Sequence, residues 1–160
     1  MLVARTQSMR KERHAAGMPP PQAGYRSFRD MNMILCVEPS PFADRSRFAW
    51  HLAVYFPETA KHVDEDDFGV LNLEVGVLKL ASQAAIAAGD WEVLARHYAF
   101  VAALRVHCSA TLRAALDISY LGNLLYGESS RNYAKARTLL PLSLARALEV
   151  VETHYEELAY

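Results

Sequence analysis

Apolar positions along this chain recur at three- and four-residue steps, and that spacing predicts helices. The first begins near Phe42, with Ser40 as its cap and Pro41 in its first turn. Phe48, Leu52, Tyr55 and Phe56 form its stripe, and Pro57 ends it or opens a short continuation to His62. The acidic run Asp64-Glu65-Asp66-Asp67 follows, where carboxylates stabilise a helix start. Leu71-Asn72-Leu73-Glu74-Val75-Gly76-Val77 then alternates as a strand would. Yet it flows into Leu78 to Ala88, a run of strong helix formers closed by Gly89, so a helix is the expectation.

Asp90 caps the next helix, whose stripe is Trp91, Leu94, Tyr98, Val101, Cys108 and Leu112. Arg105 interrupts that stripe, so this part of the face reaches solvent or a paired acid. A shorter helix from about Leu116 to Tyr126 stops at Gly127, and a small one covers Arg131 to Leu140. Pro141 opens the last, where Leu144, Leu148, Val151, Tyr155 and Leu158 step by four and three, opposite Arg146, Glu149, Glu152 and Glu156. The fold class is all-α, a compact bundle-like array of five to six helices. Ala81 to Trp91 and Leu121 to Glu128 are faintly alike, with Gly89 and Gly127 38 residues apart. Helix-hairpin packing of the tetratricopeptide type is therefore the alternative arrangement.

Residues 1–30 have another character. Six Lys and Arg stand against two acids, with the run Pro19-Pro20-Pro21 and little apolar periodicity. They read as a disordered basic, Pro-rich extension, with Met31 or Met33 as alternative starts, and 31–160 as a single helical domain. Met33 to Val37 is a short apolar run, expected as an extended lead-in.

Composition narrows the classes. With 52% apolar and 22% charged residues the chain is not wholly disordered, and a net charge of -1 gives no field toward nucleic acid or an anionic membrane. The most apolar stretch, Val70 to Ala88, is broken by Asn72, Glu74, Lys79, Ser82 and Gln83, too often for a membrane span. No apolar segment follows the basic N-terminus as a secretory signal requires. Cys36 and Cys108 are not a spaced framework, so they read as thiols in a cytoplasm.

Catalytic templates fail one by one. There is no phosphate-binding glycine loop, no nucleophile elbow and no His-Glu-x-x-His. Asp64-x-Asp66-x-Phe68-Gly69 starts like a calcium loop, but Phe68 and Val75 stand where ligands belong. His97 and His107 are about 280° apart around a helix and cannot share a ligand. His51 reads as a core residue, His62 as a surface partner of the acidic run, and Ser129-Ser130 has no neighbouring base. No cofactor or metal is expected, and an enzyme would need a site dispersed across helices.

The order of features carries a resemblance. Phe48, then Tyr55-Phe56-Pro57-Glu58, then a long apolar helix, then Leu116-Asp117-Ile118-Ser119-Tyr120-Leu121-Gly122-Asn123-Leu124-Leu125 resembles an uncharacterised bacterial all-helical family. Its members carry an early Phe-Pro-Glu and a later Ser-Tyr-Leu-Glu, and the likeness covers about residues 42–158. Gly122 stands here where that family usually has Glu. The resemblance implies a cytoplasmic bacterial protein of unknown activity. Asp117, Ser119, Tyr120 and Asn123 are expected to form a structural polar cluster holding one helix against its neighbours.

These readings favour a non-enzymatic protein-binding module, most concretely an immunity-type protein that neutralises a toxin. Its candidate surface is Asp64, Glu65, Asp66 and Asp67 with Glu149, Glu152 and Glu156, complementary to a basic target. The expected partner is another protein, with no membrane, nucleic acid not expected and homo-oligomers left open. The alternatives are a peptide-binding tetratricopeptide-like scaffold and a dispersed-site enzyme.

Overall fold

A computed structural model describes residues 43–64, 66–67 and 69–159, with side chains from Phe48 onward. The N-terminal extension, Ser40, the Met33–Val37 run, Cys36, Glu65 and Phe68 lie outside the described residues. Every regular element among the described residues is helical.

Helix α1 spans Ala43–Tyr55 and buries Phe48 and Leu52 completely. Pro57 then supplies the first position of α2, Pro57–Ala60, where its missing N–H is no loss. Helix α3, Leu71–Ala88, settles the ambiguous alternation. Leu71, Val75, Leu78, Ser82, Ala85 and Ile86 point into the core at helical spacing, whereas a strand would have buried Leu73 beside them. Gly89 closes α3 in the left-handed region at φ 71, returning its own N–H and that of Asp90 to the last carbonyls.

Helix α4 is Trp91–Val106, capped by the Asp90 carboxylate accepting from the Val93 N–H at 3.1 Å. The single stripe expected through Leu112 is broken. His107 to Ser109 leave the helix, and the Ser109 hydroxyl accepts from the Leu112 N–H, starting α5 at Ala110–Ala115. Leu112 is buried, but from the next helix. That next helix does not start at Leu116 as expected. Backbone angles stay helical through Ala115, Leu116, Gly122 and Asn123, so α5, a π-helix at Leu116–Gly122 and α6 at Asn123–Leu125 form one continuous rod. The Leu periodicity cannot reveal the π segment, because one extra residue per turn changes which side chains share a face without changing their types.

Gly127, at φ 74, turns the chain toward α7, Arg131–Thr138, and Pro141 precedes α8, Leu142–Leu158. On α8, Leu144, Leu148 and Val151 are buried as expected, but Leu158 is exposed. Helix α3 is the hub, touching α1, α2, α4, α5, the π-helix, α6 and α7, while α8 packs on the π-helix and α4. In stacked hairpins each helix would meet only helices of its own and the adjacent repeats. Here the rod Ala110–Leu125 is enclosed between α3 and α8. The similarity of the segments around Gly89 and Gly127 reflects a shared way of ending a helix.

Candidate functional site

The π-helix sends its polar side chains to three different neighbours. Asp117 takes the Arg105 guanidinium in a two-bond fork, Nε to Oδ1 at 2.6 Å and Nη2 to Oδ2 at 2.9 Å. This is the paired acid the interrupted α4 stripe allowed. The Ser119 hydroxyl donates to the Asn72 side-chain oxygen on α3 at 3.3 Å. The Tyr120 hydroxyl meets Ser82, also on α3, at 2.8 Å. Asn123 is exposed beyond the π segment. The four residues therefore do not converge on one another; three of them tie the rod to α3 and α4 at separate points.

One of those points is a buried network that sequence reasoning missed. Ser82 sits 3.0 Å from His97 Nδ1, 2.8 Å from the Tyr120 hydroxyl and 3.0 Å from the Leu78 carbonyl. Ser82 and Tyr120 are fully buried, and His97 is 2% exposed. Bond accounting assigns the protons. The Leu78 carbonyl only accepts, so the single Ser82 proton goes there, and Ser82 then accepts from Tyr120 O–H and His97 Nδ1–H. Burial, helped by the neighbouring Arg96 charge, lowers the His97 pKa from 6.5 to about 4 and keeps the ring neutral. Burial likewise pushes the Tyr120 hydroxyl far up, so it stays a donor. The only sequence signal was Ser82 and His97 falling on the apolar stripes of their helices.

A Ser beside a neutral His has the composition of an activated nucleophile, but this hydroxyl is committed to a main-chain carbonyl and closed to solvent. The arrangement holds three helices in register. Nearby, the Tyr98 hydroxyl is buried with no hydrogen-bond partner among the described residues. Among the described residues, no three His, Cys, Asp or Glu side chains gather as metal ligands.

The acidic run is partly self-occupied. Asp64 Oδ1 accepts from the Asp66 and Asp67 N–H groups at 3.0 and 2.8 Å, closing a turn rather than capping α3. Helix α3 starts without a side-chain cap; Glu74, buried in its first turns, instead ties down the chain ahead of it, its Oε1 accepting from the Gly69 N–H at 2.8 Å. Of the other expected acids, Glu152 is held by Arg137 at 2.6 Å, a guanidinium that also donates to the Leu125 carbonyl. Asp64, Asp66, Glu149 and Glu156 are exposed.

The outer side of α3 is unusual for a surface helix. Opposite the buried face lie Leu73, Gly76, Leu80, Gln83, Ala84 and Ala87, with no charge among them. Leu73 is 48% and Leu80 59% exposed. The only charged residues of α3 are Glu74, buried, and Lys79, at the edge of this face. Such a helix is apolar on both sides, a pattern otherwise found where both sides are covered.

Among the described residues no helix is long and apolar enough to cross a membrane. No curated protein and no solved structure matches the chain. A family model does match, over residues 51–156, which takes in Phe56-Pro57-Glu58, the whole of α3 and the π-helix with Ser119-Tyr120-Leu121. The chain belongs to that family, described as Domain of unknown function (DUF7674).

Proposed function

We propose that this chain is a protein-interaction module that docks its partner through the outer face of α3. The observation that carries the reading is the uncharged run Leu73, Gly76, Leu80, Gln83, Ala84 and Ala87 on the helix that organises the bundle. An exposed apolar patch on a rigid element marks an interaction surface, because leaving it in water forgoes about 25 cal/mol per Å². The closed, hydroxyl-committed Ser82 network supports binding over catalysis. The closed bundle favours docking on an outer helix face over the groove of a tetratricopeptide-like scaffold.

The narrower reading, an immunity-type protein occluding a basic toxin, leans on the acidic surface. That surface is smaller than the sequence implied, because Asp64 turns onto its own backbone and Glu152 is paired. The apolar face is the stronger support, so the partner is defined first by hydrophobic complementarity. A bacterial cytoplasm is the proposed setting, on the family resemblance and on two cysteines outside any disulfide framework.

The double substitution Leu73→Lys/Leu80→Lys tests the reading. Both sites are half exposed, so the thermal midpoint should stay within a few degrees of wild type while association is lost. A double variant that retains every association of the wild-type chain, whether with itself or with a co-purifying protein, overturns it.

A further inference from the structure

We draw no further inference here: the strongest candidate, the uncharged outer face of α3 that exposes Leu73 and Leu80, carries nothing beyond the docking reading above, because nothing in the structure shows what covers it.

Discussion

Replacing Ser82 by Ala removes a hydroxyl that accepts two hydrogen bonds and donates a third, all in the interior. The Tyr120 O–H and the His97 Nδ1–H then lose their acceptor in a site closed to water. Each stranded buried donor costs about 1–3 kcal/mol, so Ser82→Ala should destabilise the fold by about 2–6 kcal/mol. That is a large share of the ~5–15 kcal/mol that holds a domain together. Tyr120→Phe removes a donor but strands nothing, since Ser82 still donates to Leu78 and accepts from His97; it should cost about 1 kcal/mol. In the double variant only His97 is stranded, so the two effects add to less than their sum. Urea unfolding at pH 7.5, read as midpoint shifts at constant slope, measures all three. If Ser82→Ala costs no more than Tyr120→Phe, Ser82 is not the shared acceptor and the proton assignment falls.

Further predictions follow from the same interior and its edges. Because the fold holds His97 neutral down to about pH 4 while the unfolded ring titrates near 6.5, the unfolded state binds the extra proton between those values. Stability should be full above about pH 7 and fall by up to about 3 kcal/mol as pH drops from 6.5 to 4; a His97→Gln variant with the same pH profile would remove His97 as the cause. Tyr98→Phe should raise stability by about 1 kcal/mol in thermal or urea unfolding, because it deletes a buried hydroxyl that has no partner among the described residues; a loss of stability would refute that. Gly122→Leu should cost about 2 kcal/mol or more, since even a Cβ there would stand 3.0 Å from Val151 Cγ1 and the Tyr155 hydroxyl; unchanged unfolding would mean α8 can swing clear.

Gly122 also has a packing role. Here α8 lies directly on the π-helix, with Val151 and Tyr155 over the glycine, a contact that a Glu side chain would prop open. Leaving Gly at this point lets the last helix close onto the rod.

Much of the helical plan was legible along the chain because its signals are local. Gly89 and Gly127 end helices through backbone freedom, Asp90 caps through its own carboxylate, and Pro57 opens a helix by lacking an N–H. Two elements were misplaced. The break at His107 to Ser109 hides inside an unbroken apolar step pattern, and the π segment is decided by packing between α3 and α8 rather than by residue type. Ser82, His97 and Tyr120 come from three helices, 15 and 38 residues from Ser82 along the chain, and no spacing rule links them.

The alternation in Leu71 to Val77 marks the boundary between the two kinds of information. The sequence by itself determined that the described part of the chain is helical and where most of its helices end, because propensity, capping and turn geometry act within a few residues. It also placed an apolar Leu73 out of phase with the buried stripe, which read as ambiguity between strand and helix. Only the tertiary structure decided what that residue means: once α3 buries Leu71, Val75 and Leu78, Leu73 and Leu80 must face outward. Which neighbours cover a helix, and which face they leave open, is set by the packing of distant segments.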